Sequence, residues 1–236
     1  MESVAGHQGD LAVLREELGR AHTAQVAHRR RAIILLEGPD CSGKKFALRQ
    51  LAASFDPCHV NVHCINFDRR EASEGHWLAR FWRELPAGGR TIIFYRSWYR
   101  RVLNDRLAGK VGEKELARAF DEINEFEAQQ RDHGTLIVKL YFDVSADVQE
   151  RRIAEYEADP WHQRMEHEKG VRVTNPGYAE ALEELKEQSN TRWSPWHVLN
   201  GDDERAAAAK AMSILIAEWR GSMPSDPPRV ADSKVA

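Results

Sequence analysis

Gly38, Gly43 and Lys44, inside the run GPDCSGKK, stand in the spacing GxxxxGK, and residues of those types in that order bind phosphate. Glycines let the backbone curl until successive N–H groups point inward, and a following helix adds the positive end of its dipole to that anion nest. Gly38, Ser42, Gly43, Lys44 and Lys45 are the expected cradle, with Lys44 reaching the outer phosphates as a point charge. The usual Ser or Thr after the lysine, whose hydroxyl holds magnesium, is here Lys45. Asp40, inside the loop, is the nearest carboxylate to take Mg2+ in its place. An ordinary glycine-rich strand-to-helix turn with surface lysines is the plain alternative. The context favours the phosphate loop, because AIILL precedes it and the helix-forming FALRQLAASF comes after it.

Such a loop works only if a strand delivers it and a helix leaves it. Ala32 to Leu36 is short, apolar and β-prone, as a strand buried on both faces of a parallel sheet must be. Ahead of it, Leu11, Leu14 and Leu18 recur at helical intervals within 10–28, and Arg29, Arg30 and Arg31 read as a solvated element end. Val60 to Phe67 alternates as a second strand, and 71–85 places Trp77, Leu78, Phe81, Trp82 and Leu85 on one face of a helix closed by LPAGG. Thr91 to Phe94 is a third strand. The carboxyl ends of parallel strands face the ligand crevice, so Arg96, Ser97 and Tyr99 are expected where a second substrate is touched, Arg96 foremost.

Residues 113–133 form a helix with Leu116, Phe120, Ile123 and Phe126 inward, stopped by Gly134, and Leu136 to Phe142 is the fourth strand. A packed helix carries Tyr178, Ala181, Leu182 and Leu185, a fifth strand lies around Trp196 to Leu199 with Asp202 and Asp203 beyond it, and 204–219 is a closing helix. Strands alternating with helices predict βαβ units. The stretch 145–176 breaks this pattern, being polar and rich in Arg, Glu and His. It reads as a lid over the phosphates with Arg151, Arg152 and Arg164 supplying charge, or as a solvated helix pair held by i,i+4 charge pairs.

Composition narrows the partners. A formal charge of −3 with 30% charged residues carries no global basic excess, which argues against nucleic acid and membrane surfaces and requires an anionic ligand to be met locally. The three cysteines, at 41, 58 and 64, form neither a metal-ligand spacing nor an even disulfide set, so a reducing, cytoplasmic setting is expected. MESVAGHQGD holds no apolar core, and no run approaches the roughly 18 apolar residues of a membrane span. The 236 residues suit one α/β domain over 1–220, then a Ser- and Pro-containing tail, 221–236, expected to be disordered.

Taken together, EGPDCSGKK, HWLARFWRELPAGGRTIIF, RSWY, FDEINEFEAQQRDHGTLIVKLYFDVSADVQERR and NTRWSPWHVLNGDDER resemble the family-2 polyphosphate kinases, phosphate-loop proteins that move phosphoryl groups between inorganic polyphosphate and nucleotides. The resemblance runs from about Leu11 to Trp219. It implies an α/β fold of P-loop kinase type, a three-layer α/β/α sandwich with a mostly parallel five-stranded sheet and a helical lid. It also implies a magnesium-dependent phosphotransferase, commonly a homo-oligomer, whose partners are inorganic polyphosphate and a nucleoside mono- or diphosphate. On that pattern Asp40 has a metal and catalytic role, Lys44 and the loop amides hold phosphates, Arg96 meets the phosphate chain or nucleotide, and Arg151 and Arg152 belong to the lid. The resemblance also accounts for Lys45, since the position after the loop lysine is not Ser or Thr in the family either.

The chain departs from the family pattern on the side facing the loop. Tyr95 stands where the family has Asp or Asn, Arg100 and Arg101 where one branch has Glu-Asp, and Tyr156 where a lid arginine is usual. DPWHQRM keeps Asp159 and Pro160 of the lid motif without its lysines and tryptophan. Asp143 and Asp105, or the charges of Arg100 and Arg101, are the candidates to compensate. Two other functions stay open: a catalytically degenerate polyphosphate or nucleotide binder or partner subunit, and an ATP-dependent small-molecule or nucleoside kinase.

Overall fold

The strand that delivers the loop is the centre of the sheet. In the computed structural model, which describes residues 10–65, 75–161, 171–224 and 226–228, β1 (Arg31–Glu37) pairs in parallel with β3 (Thr91–Tyr95) on one side and β4 (Thr135–Asp143) on the other. The edges are β2 (Val60–Cys64) beside β3 and β5 (Trp196–Asn200) beside β4, giving the order β2-β3-β1-β4-β5 with every pair parallel. From β1 the chain moves to one edge and returns through β3, then crosses to β4 on the opposite flank. That reversal of strand order opens a crevice at the carboxyl end of β1, where the loop begins.

Side chains of β1 alternate between two cores. Ala32, Ile34 and Leu36 pack with α1 (Leu11–Ala27), α2 (Lys44–Ala52) and α8 (Glu204–Ser222), while Ile33 and Leu35 join α5 (Glu113–Asp132) and α7 (Tyr178–Ser189) on the other face. The layers are therefore helix, sheet, helix, as expected, and the sheet is wholly rather than mostly parallel. Asp10 caps α1 through a hydrogen bond from the Ala12 N–H, and Asp203 caps α8 through the N–H groups of Arg205 and Ala206. Helix α8 continues past position 220 to Ser222. Among the described residues no helix is long and apolar enough to cross a membrane.

Two expectations change. The helix over 71–85 reduces, among described residues, to the single turn α3 (Ala79–Trp82), preceded by turn and bend from Gly75. Leu78 and Phe81 are buried as expected, but Trp82 stays 45% exposed and only leans its ring edge-on against Phe126 of α5 at 4.9 Å. One helical turn cannot carry a stripe inward, so its second tryptophan falls at the rim. The second strand ends at Cys64, is an edge strand and is largely exposed; residues 66 and 67 lie outside the described residues.

A buried polar cluster fixes the segment after β3. Lys139, in the middle of β4, places its ammonium 3.1 Å from Glu127 Oε2 of α5, and both are fully buried. Glu127 Oε1 accepts from the Trp98 indole at 2.9 Å and the Tyr99 hydroxyl at 2.8 Å, while Lys139 also donates to the Ser189 carbonyl at 2.6 Å. Trp98 and Tyr99 belong to a 3-10 helix, Trp98–Arg100, that leads to the short α4 (Asn104–Leu107). The cluster thus pins the residues beyond Arg96 to β4, α5 and α7, with each polar atom supplied by a partner that burial demands.

Candidate active site

The loop is built around close backbone approaches. Gly38 has φ 137°, and a Cβ there would lie 2.3 Å from the Phe142 carbonyl oxygen at the end of β4. Only glycine fits. Gly43, with φ 90°, is the N-cap of α2, so α2 starts at Lys44 and aims its amide end into the loop. Gly201, just past β5, presses from the other side: a Cβ on it would come 2.2 Å from Ser42 O and 2.6 Å from Asp143 O. Sequence reasoning misses Gly201, whose only signal is a glycine directly after the fifth strand.

Lys44 is folded into this cradle at 1% exposure. Its ammonium donates to the Gly38 carbonyl at 2.7 Å, to the Pro39 carbonyl and to Ser42 Oγ at 3.1 Å. Burial first, and then the neighbouring Arg96 guanidinium, lower its pKa from 10.5 to about 8. The loop therefore holds a poorly solvated cation on carbonyl oxygens, an environment that an anion would improve.

Arg96 comes to the loop from β3. Its backbone is left-handed, with φ 61°, a conformation that costs a non-glycine residue energy and turns the chain sharply at the strand end. The Arg96 N–H donates to Leu36 O at 3.0 Å, and its guanidinium meets Asp40 Oδ1 at 2.6 Å. The Asp40 side chain is 28% exposed and so remains reachable. Ser97 turns away: its N–H and hydroxyl both donate to Glu37 Oε1, at 2.5 and 2.7 Å. Burial raises the pKa of Glu37, against the hydrogen bonds from Ser97 and the charges of Lys44 and Arg96. Glu37 is thus the joint between β1 and the end of β3, a role that its place beside the loop motif does not reveal.

Tyr95 fills the position where the family pattern has Asp or Asn. Its ring lies 5.7 Å from the Lys44 ammonium and 5.9 Å from the Arg96 guanidinium, so one aromatic ring serves two cations. Burial raises its pKa to about 12, which keeps the hydroxyl neutral near pH 7. It brings cation–π attraction to the site and no negative charge.

The remaining predicted residues divide. Gly38, Asp40, Ser42, Gly43, Lys44 and Arg96 come together at the loop, and Lys45 is exposed on the first turn of α2. Tyr99 does not join them: its side chain points into the core, where the hydroxyl is taken by Glu127 and Lys139. The reason is the 3-10 turn, which carries Tyr99 round to the face opposite Arg96. Ser97 is a second correction, since it is fully buried and bonded to Glu37 rather than lining the crevice.

The stretch 145–176 opens with α6 (Ala146–Ala158), which is docked on the loop. Arg152 donates to the Cys41, Gly201 and Asp202 carbonyls at 3.0, 2.8 and 2.8 Å, so its guanidinium ties α6 to the loop, while Arg151 is exposed. Arg164 lies outside the described residues. Of the compensating groups, Arg100, Arg101 and Asp105 are engaged elsewhere, while Asp143 is exposed at the end of β4. Buried Arg100 faces Asp105 at 3.3 Å, and Arg101 faces Glu115 at 3.7 Å and the Trp77 ring at 5.8 Å. Asp143 Oδ1 accepts from the Val144 N–H and Asp202 Oδ1 from the Ser145 N–H. Among the described residues no group of three or more His, Cys, Asp or Glu is assembled that would hold a metal ion.

Known proteins match this chain over most of its length. Residues 2–226 match the polyphosphate kinase 2 family. A polyphosphate:AMP phosphotransferase of Pseudomonas syringae pv. tomato is 33% identical over 185 residues, covering 78% of this chain and 37% of that protein. Its counterpart of the same name in Pseudomonas aeruginosa is 30% identical over 217 residues, covering 91% and 42%. This chain spans about two fifths of the length of these relatives. The crystal structure of polyphosphate kinase 2 from Arthrobacter aurescens TC1 superposes with a TM-score of 0.83 at 25% identity, over 98% of this chain and 83% of that one.

Proposed function

This chain belongs to the polyphosphate kinase 2 family, and on that footing we propose that it transfers a phosphoryl group between inorganic polyphosphate and a nucleoside mono- or diphosphate. The observation that carries the reading is the desolvated Lys44 ammonium, held on loop carbonyls beside Arg96 and Asp40 at the carboxyl end of β1. In the forward direction the bond from the terminal phosphorus to its bridging oxygen breaks and a bond to a terminal oxygen of the nucleotide forms, leaving polyphosphate one unit shorter. That acceptor oxygen is already ionised near pH 7, so no protein base is needed, and the work is positioning and neutralisation of charge.

Lys44 and the loop amides hold the donor end of the phosphate chain, and Arg96 swings between Asp40 and a phosphate. Asp40 is the carboxylate available to magnesium. A single, partly exposed acid beside a phosphate cradle fits that ion, which keeps several waters and takes most of its remaining ligands from substrate phosphates. When bound, magnesium would neutralise charge on the phosphate oxygens. The same reading takes the protein as cytoplasmic and as a homo-oligomer, and light scattering on the purified protein tests the oligomeric state.

The test is a screen of polyphosphate and ATP as donors, with each nucleoside mono- and diphosphate as acceptor. Product from polyphosphate is expected, with a loss of about 100-fold or more in Asp40→Asn. No product from any pair, where an established polyphosphate kinase gives one, overturns the proposal. Tyr95 favours one second reading, binding of polyphosphate without turnover, because it sets an aromatic ring beside Lys44 where the family pattern has Asp or Asn. Salt-sensitive binding with no product in the same screen identifies that case.

A further inference from the structure

Gln149 of α6 is buried and has no part in the proposed transfer. Its amide closes a ring of hydrogen bonds at the loop. Nε2 donates to the Asp40 carbonyl at 2.8 Å and to the Val171 carbonyl at 3.2 Å, and Oε1 accepts from the Val173 N–H at 2.9 Å. The Asp40 N–H in turn donates to the Val171 carbonyl at 3.0 Å. Asp40 is therefore held at both of its peptide groups, once by the segment leading into α7 and once by Gln149.

The neighbouring residue shows why such holding is needed. Cys41 has φ 55°, a conformation that a residue with a side chain keeps only when its surroundings over-determine it. Arg152 lies three residues after Gln149, on the same face of α6, and takes the Cys41 carbonyl at 3.0 Å. Two side chains from one helix thus clamp two successive carbonyls of the loop. Of the pair, Gln149 acts where the carboxylate departs that meets Arg96 at 2.6 Å.

We propose that Gln149 is a positioning residue for Asp40: its side-chain amide, shared between Asp40, Val171 and Val173, sets the direction in which the Asp40 carboxylate leaves the loop. Removing the amide frees the Asp40 carbonyl directly and leaves the Val171 carbonyl, which accepts from the Asp40 N–H, without its second donor, so the carboxylate loses its alignment to Arg96 and to a bound phosphate chain. The kinetic consequence rests on the phosphotransferase reading; the structural one does not.

The experiment compares wild type with Gln149→Met, which keeps side-chain length without hydrogen-bonding groups, and with Gln149→Glu, which keeps an acceptor for Val173 but no donor for Asp40. Amide hydrogen exchange is measured over 38–43 and 171–175 alongside steady-state turnover. Expected in Gln149→Met is exchange about tenfold faster at the Val173 amide, which loses its acceptor, and at the Asp40 amide, whose acceptor Val171 lies in the segment that loses both of its bonds to Gln149, with β1 and β4 unchanged. Turnover is expected to fall about 10- to 100-fold, with KM for the nucleotide within about twofold. Gln149→Glu, which sets a carboxylate oxygen against the Asp40 and Val171 carbonyls and pushes them apart, is expected to expose Asp40 while keeping Val173 protected. Unchanged exchange at Asp40 overturns the proposal, and so does acceleration spread evenly through the sheet or full turnover in Gln149→Met. A wild type that forms no product defeats the phosphotransferase reading alone, and the exchange pattern still decides the role of Gln149.

Discussion

Lys44 and Lys139 are both lysines without solvent, at 1% and 0% exposure, and replacing each by methionine is expected to give opposite results. Lys139 faces Glu127 at 3.1 Å. At an effective dielectric constant near 20 that attraction is about 5 kcal/mol, and it offsets a desolvation cost of similar size. Lys139→Met removes the attraction and strands the Glu127 charge in the core, so a loss of about 3–5 kcal/mol is expected, or roughly 10 °C in Tm.

Lys44 donates instead to two carbonyls and a hydroxyl, beside the like charge of Arg96. Its pKa, lowered from 10.5 to about 8, means that at pH 7 the folded protein carries a cost of about 3 kcal/mol for keeping this group charged, at about 1.4 kcal/mol for each tenfold change in proton affinity. Lys44→Met removes that cost together with three hydrogen bonds of about 1 kcal/mol each, so unliganded stability is expected to stay within about 1 kcal/mol of wild type. What it loses is the ligand. Tripolyphosphate at a hundred times its Kd stabilises the wild type by about 2.7 kcal/mol, or about 5–10 °C, and this shift is expected to vanish in Lys44→Met. Urea unfolding gives the first quantity and thermal melting with and without tripolyphosphate the second. If Lys44→Met is as unstable as Lys139→Met, or keeps the tripolyphosphate shift, the account of a cradle built for anions is wrong.

The same geometry sets further expectations. Because Lys44 is charged below about pH 8 and neutral above it, tripolyphosphate affinity measured by calorimetry is expected to fall by up to about tenfold per pH unit above 8, and to show no such fall in Lys44→Met. Gly201→Ala places a Cβ 2.2 Å from Ser42 O, so overpacking of about 1–3 kcal/mol is expected on urea unfolding, with loss of the tripolyphosphate shift because the loop must move. His22 is buried against Phe55 at 4.7 Å and Trp219 at 6.2 Å, and burial lowers its pKa from 6.5 to about 4 despite the pull of Asp56. The native state therefore keeps it neutral while the unfolded chain takes up the proton. Stability contributed by the neutral form is present above pH 6.5 and declines by up to about 3 kcal/mol as pH falls to 4, which the difference between wild type and His22→Leu in urea melts isolates.

Sequence alone determined what depends on local order. Apolar runs of strand length alternating with amphipathic helices specify a parallel α/β sheet, because each must bury a face and βαβ crossovers are the available solution. Spacing alone located the loop proposed to hold phosphate, since Gly38 and Gly43 take positive φ values that are local in the chain. The stripe over 71–85 misled because periodicity records which residues are apolar and not how long the helix lasts.

Tertiary structure decided what depends on residues far apart in the chain. Tyr99, three residues from Arg96, was carried into the core by one turn of 3-10 helix and by a carboxylate on α5. Gly201 and Gln149 acquire meaning only where β5 and α6 meet the loop, a contact over more than a hundred residues that no pattern along the chain records. The nature of Lys44 was settled in the same way. Its position makes it the expected phosphate ligand, but its lowered proton affinity comes from exclusion of water by the packed layers and from Arg96, which only the folded sheet brings alongside.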